Sequence, residues 1–128
     1  MINISKPKNA AMICGIWTVI LVWLSLMPAS QIPSHRWIEI PHLDKIVHFF
    51  LYLITAYIWT NYLIHKIEKN KAIILGIGFG SLLGLITEYA QPIFFEGRHF
   101  EILDIVANIV GSLSGAILFY FVYPHLKR

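Results

Sequence analysis

The sequence predicts an all-α integral membrane protein, a four-helix bundle, and three observations carry that prediction. Of its 128 residues, 57% are hydrophobic and 13% charged, against about 45–50% and about 25% in an average soluble domain. Mean hydropathy is +0.66. The apolar residues are also clumped: no Asp, Glu, Lys or Arg falls between Lys8 and Arg36, Lys45 and Lys66, Lys71 and Glu88, or Asp104 and Lys127. Each gap approaches or exceeds the ~20 apolar residues that cross a bilayer as a helix. A water-soluble fold, which needs charge to clothe its surface, is excluded. The length suits one domain, so residues 1–128 are read as a single transmembrane domain.

The first span, Ala10 to Met27, follows Lys6 and Lys8 in the manner of a signal peptide. It outruns a typical signal h-region, and Met27-Pro28-Ala29-Ser30 is a poor small-x-small cleavage site, so it is expected to remain in the protein. The second span runs from Ile46 to Ile64. The third, Ala72 to about Phe94, contains Glu88, and the fourth runs from Ile105 to Tyr123. Cytoplasmic loops carry the excess of Lys and Arg. Lys6, Lys8, Lys66, Lys69, Lys71, Lys127 and Arg128 gather on one side, and Arg36, Lys45 and Arg98 on the other, which predicts that both termini are cytoplasmic. The net charge of +3 then reflects topology and contact with anionic membrane lipids; no basic stripe with interleaved aromatics marks a nucleic-acid site. The single cysteine, Cys14, lies within the first span, which excludes an intrachain disulfide and a multi-thiolate metal site. No repeat of fixed period is visible.

Gly76, Gly80 and Gly84 recur every four residues on the third span, and Ala107, Gly111 and Gly115 do so on the fourth. Small residues on one helical face let a neighbouring backbone approach closely, so spans three and four are predicted to form a close pair. Extended by four, the first ladder reaches Glu88. On span four, Asp104, Asn108, Gly111 and Gly115 share a face, and on span two Asp44, His48, Tyr52 and Thr55 do the same. By helical rise Glu88 lies ~24 Å from the cytoplasmic start of span three, whereas His48 and Asn108 lie only ~5 Å inside the outer ends of spans two and four. Three helices of alternating direction therefore bring their polar residues to one level, below the outer surface.

A carboxylate near the bilayer centre costs ~2.5–3.5 kcal/mol on insertion scales, so Glu88 needs a partner or a proton. Arg98, in the short external loop from Pro92 to Phe100, is the nearest basic residue in sequence and is expected to fold back over the site. Asp44 and Asp104 stand where an aspartate can cap a helix, and Asp44 is four residues from His48, close enough to orient its ring. Each group has a structural reading as well: a paired strut for Glu88 and Arg98, caps for the aspartates, a hydrogen-bonded core histidine, and helix bridges for Gln91 and Asn108. Their coincidence at one depth favours a functional pocket. Its candidate catalytic residues are Glu88, Asp104, His48 and Asp44, and its candidate substrate-binding residues are Arg98, Gln91 and Asn108. A divalent ion on Asp44, Glu88 and Asp104 would suit hard oxygen ligands, but the spacing is no recognised metal signature. No metal site is assigned, and no cofactor is indicated.

These residues carry a resemblance. Asp44-Lys45-Ile46-Val47-His48-Phe49, Thr87-Glu88-Tyr89-Ala90-Gln91, Arg98, and Asp104-Ile105-Val106-Ala107-Asn108-Ile109-Val110-Gly111 with Gly115 resemble the VanZ-like family of small bacterial membrane proteins. The resemblance covers roughly residues 40 to 120. Phe100-Glu101-Ile102-Leu103 stands where family members often have small hydroxyl residues, and the first span carries no matching motif. It implies a cell-envelope role in the inner (cytoplasmic) membrane of a bacterium, because the founding member is associated with low-level resistance to the glycopeptide antibiotic teicoplanin. It supplies no reaction.

Two functions fit. In the first, the pocket is catalytic on a lipid-linked or glycan envelope substrate: Glu88 and Asp104 are acid/base or charge-stabilising groups, His48 carries a proton, and Arg98 clamps an anion. No nucleophilic serine or cysteine motif supports acyl transfer. In the second, the pocket recognises an envelope lipid, an antibiotic or a membrane partner without chemistry. Transport fits less well, because no inverted repeat is visible and the polar groups stop near one surface. Oligomeric state is not encoded in any motif.

Overall fold

A computed structural model describes residues 7–27 and 42–126. Lys6, Arg36, Lys127 and Arg128, counted above for orientation, and the Pro28-Ala29-Ser30 segment lie outside the described residues. Four helices follow in order: α1 Pro7–Ser25, α2 Leu43–Leu63, α3 Lys69–Phe94 and α4 Ile102–Leu126. All four are long and apolar enough to cross a membrane. All four begin earlier than the apolar runs because hydropathy stops at the first charge and a helix does not. Asp44 lies in the first turn of α2 and Asp104 in that of α4, where free backbone N–H groups and the helix dipole favour a carboxylate.

Side-chain contacts fix the directions. Lys45 at the start of α2 meets Asp104 at the start of α4, so these helices run parallel. Gln91 near the end of α3 donates from Nε2 to the carbonyl of Ser25 at the end of α1 at 2.9 Å, so α1 and α3 are parallel to each other. The two pairs are antiparallel: Trp17 Nε1 donates to Thr55 Oγ1 at 2.9 Å, while Cys14, one turn earlier on α1, donates from Sγ to the carbonyl of Ile58, one turn later on α2, at 3.5 Å. Trp59 Nε1 also donates to Thr18 Oγ1 at 3.1 Å. Hydrogen bonds of this kind between membrane helices contribute about 0.6 kcal/mol each. The ends of α1 and α3 and the starts of α2 and α4 thus share one end of the bundle. Lys66, Lys69 and Lys71 mark the opposite end, where the Lys69 ammonium lies 4.0 Å from the centre of the Tyr120 ring.

The core is small-residue and polar, and the coat is apolar. Ala56, Ala72, Gly76, Gly80, Gly84, Gly111 and Gly115 are buried, while Val19, Trp23, Ile74, Ile93, Ile102 and Phe121 face outward. That inversion is what a lipid solvent allows, since apolar side chains lose nothing by facing it.

The glycine ladders differ from the sequence expectation in their partners. A Cβ on Gly80 or Gly84 would meet Ser112 or Asn108 of α4, as predicted, but one on Gly76 would meet Thr60 of α2. The α4 glycines do not face α3. A Cβ on Gly111 would collide with the carbonyl of Phe49, and one on Gly115 with the carbonyl of Leu53. The most extensive helix pair is therefore α2 with α4. The glycine hydrogens aimed at those carbonyls form the Cα–H···O contacts common where helices touch backbone to backbone.

Candidate functional site

Each wall of the site follows from one helical repeat. His48, Tyr52 and Thr55 form the buried stripe of α2, Gly84, Thr87, Glu88 and Gln91 that of α3, and Asp104, Asn108 and Ser112 that of α4. Where these stripes converge, four predicted residues lie together: Glu88 and Asn108 at 0% exposure, Asp104 at 7% and His48 at 9%. His48 Nδ1 is 3.0 Å from Asn108 Oδ1 and 3.6 Å from Glu88 Oε1. The amide oxygen can only accept, so in the neutral ring Nδ1 carries the proton and donates it to Asn108.

Glu88 is the anomaly of this pocket. Neither of its carboxylate oxygens has a hydrogen-bond partner among the described residues, and neither does Asn108 Nδ2. The backbone N–H of Glu101 faces the carboxylate without reaching hydrogen-bond geometry, and Arg98 and Asp104 are its charged neighbours. The backbone adds to the exposure of polar groups here: Pro92, inside α3, has no N–H to give to the carbonyl of Glu88 four residues earlier. Directly beneath, Thr87 Oγ1 donates to the carbonyl of Gly84 at 3.0 Å. Its only proton being used, it accepts from the Tyr52 hydroxyl at 2.8 Å. This bond closes the floor of the pocket.

The outer end of the cluster is built by Lys45, which counts toward orientation and stands in the quoted motif but was not assigned to the site from sequence. Its ammonium pairs with Asp44 and Glu101 and lies 3.0 Å from Asp104 Oδ1. Asp44 is accordingly exposed and bound to Lys45; the ring of His48 is held by Asn108 rather than by the aspartate expected to orient it. Gln91 is turned away to the Ser25 carbonyl and serves as a helix tie. Arg98 is half-buried at the rim and makes no ion pair within 4 Å among the described residues. The signal that could have found Lys45 was its position in the first turn of an apolar helix, where a long side chain must reach either solvent or a carboxylate.

Two groups could hold a metal ion. Donor atoms of His48, Glu88 and Asp104 all lie within 4.8 Å of one another, and so do those of Asp44, Glu101 and Asp104. The second group already surrounds the Lys45 ammonium. The first contains the histidine in place of Asp44, a set that the linear spacing did not reveal.

Fold and site together define a four-helix integral membrane protein with a buried polar cluster at one end, contributed by its last three helices. The VanZ/LLP1 family model matches residues 11–123, and the chain belongs to that family. The match takes in α1, which the motifs between residues 40 and 120 did not reach. An uncharacterised protein of Schizosaccharomyces pombe is 30% identical over 122 residues, 94% of this chain and 67% of its own length. An uncharacterised protein of Saccharomyces cerevisiae is 33% identical over 86 residues, 60% of this chain and 78% of its own. No solved structure matches the chain significantly.

Proposed function

We propose that the protein is an intramembrane enzyme acting on the headgroup region of a membrane lipid or lipid-linked envelope substrate. The observation that carries this reading is Glu88: a fully buried carboxylate with no hydrogen-bond partner, 3.6 Å from a histidine nitrogen. A group in that state is costly to keep for structure alone and is ready to take a proton. In the step we envisage, Glu88 accepts a proton from water as the water oxygen bonds to the phosphorus or ester carbon of the substrate. The bond to the leaving oxygen breaks, and that oxygen takes the proton that Glu88 accepted, which regenerates the carboxylate beside His48. Asn108 holds the imidazole, and Arg98 at the rim meets an anionic headgroup.

Two observations favour a lipid over a glycan. A groove of about 570 Å³ lined by Thr18, Val22, Trp23, Leu26, Met27 and Phe95 opens at the same end of the bundle and suits an acyl chain. Similar proteins also occur in two yeasts, organisms without peptidoglycan. An association with teicoplanin resistance would follow from altered envelope lipids.

The test is incubation of the purified protein in nanodiscs of defined phospholipids, with products read by mass spectrometry. Loss of a headgroup or acyl chain, absent with Glu88→Gln and Asp104→Asn, is the expected result. Saturable lipid or glycopeptide binding without turnover, unaffected by Glu88→Gln, would favour the non-catalytic alternative. We place the pocket on the outer side of a bacterial cytoplasmic membrane, with the termini cytoplasmic. Single cysteines at Lys69 and Glu96, in a background with Cys14→Ala, should label from inside and outside respectively; external labelling at Lys69 contradicts the orientation.

A further inference from the structure

We propose that His48, Glu88, Asp104 and Asn108 form a binding site for one divalent first-row transition metal ion. The inference deepens the reading of the same pocket, but it concerns binding alone and does not need turnover.

The donors are already gathered. His48 Nδ1 is 3.0 Å from Asn108 Oδ1 and 3.6 Å from Glu88 Oε1. A donor atom of Asp104 lies within 4.8 Å of both the histidine and the glutamate donors. Metal–ligand bonds of about 2.0–2.2 Å place adjacent ligands roughly 3–3.6 Å apart, a range that the separations of His48 Nδ1 from Asn108 and Glu88 already meet. The independent evidence is the state of Glu88. A carboxylate at 0% exposure with two unpartnered oxygens needs positive charge or several donors; the neighbouring His48 N–H is committed to Asn108, and the Glu101 N–H does not reach hydrogen-bond geometry. A dication answers Glu88 and Asp104 at once. It requires His48 to give up its Nδ1 proton, after which Asn108 Oδ1, no longer accepting that proton, is free to ligate.

The charge count agrees. Asp44, Glu88, Glu101 and Asp104 are opposed by Lys45 and Arg98, which leaves an excess of two negative charges in the cluster. The exposed trio at the mouth is not the site, because the Lys45 ammonium occupies it. One imidazole, two carboxylates and an amide oxygen form a mixed donor set that suits Mn²⁺ or Zn²⁺ better than the all-oxygen cages of Ca²⁺. One carboxylate oxygen of Glu88 is enough to ligate, leaving the other to accept a proton.

The experiment uses the full chain without a polyhistidine tag, stripped with chelator, in nanodiscs, titrated separately with Mn²⁺ and Zn²⁺. We expect about one ion per chain for at least one metal, and nitrogen modulation in the pulsed EPR spectrum of the Mn²⁺ form. Glu88→Gln and Asp104→Asn should each weaken binding by at least about tenfold, and His48→Gln should remove the nitrogen signal. The double variant Asp44→Asn with Glu101→Gln should bind within about threefold of wild type, as expected for screened charges outside the ligand set. Substoichiometric metal on the wild type would overturn the proposal whether or not any variant folds. Binding lost only in the Asp44 and Glu101 double variant would overturn it equally. Because no lipid substrate is consumed, failure here leaves the turnover assay above to be judged on its own.

Discussion

A Glu88→Leu variant is expected to be more stable than the wild type and wholly inactive. Leucine is larger than glutamate by about one methylene, so it leaves no void, and Glu88 makes no hydrogen bond among the described residues that the change would break. The variant therefore removes a desolvated polar group without opening a cavity. Relieving a buried, unsatisfied group is worth about 1–3 kcal/mol, and the neighbouring bond from His48 to Asn108 is untouched. Thermal unfolding in detergent without added metal should rank Leu above Gln, and Gln at or above wild type, because the glutamine amide would inherit the same lack of partners. A Leu variant clearly less stable than wild type would mean that Glu88 has an unseen structural partner, and the functional reading of the residue would fall with it. The expected pattern, stability gained as function is lost, marks groups retained for what they do.

Gly115→Leu should have the opposite character and prevent folding. Any Cβ at Gly115 meets the backbone carbonyl of Leu53, and one turn earlier the same holds for Gly111 and Phe49. A carbonyl inside a helix cannot rotate away, so α2 and α4 must separate along their main interface. Overpacking of an ordinary core costs about 1–3 kcal/mol, and a clash with rigid backbone should exceed that range. The control is Gly78→Leu, since a Cβ at Gly78 meets nothing within 4 Å and its side chain would face lipid. Folded yield by size-exclusion chromatography should collapse for Gly115→Leu and Gly111→Leu and hold for Gly78→Leu. Equal yields for all three would contradict the backbone contact between α2 and α4.

Those glycines also mark where sequence reasoning stops. Periodicity identified a buried face on α2, α3 and α4, and for α4 it did so correctly through Asp104, Asn108, Gly111 and Gly115. It does not say which neighbour a face will meet, and the two ladders were matched to each other when one of them packs on α2. The convergence of Glu88, His48 and Asn108 at one level of the bundle was legible because helical rise is fixed. The wiring was not: Asp44 and Lys45 are adjacent in sequence, yet the long lysine side chain reaches across to α4. Likewise, Gln91 finds a backbone carbonyl of α1, an acceptor that every residue offers and no residue type advertises.

The distribution of the pocket over α2, α3 and α4 has a consequence for how the protein is made. Synthesis proceeds from the amino terminus, so α3 delivers Glu88 to the membrane before α4, with Asp104 and Asn108, has been translated. For that interval only α1 and α2 are present, and the group they place beside the carboxylate is His48. A segment carrying an unpaired acid inserts less readily than a purely apolar one, which favours lateral release of α3 together with α4 as a hairpin. The short Phe95–Glu101 connection, with Gly97 at a positive φ of 78°, is suited to such paired entry. The last helix thus acts as the assembly signal: until it arrives there is a bundle in outline but no pocket.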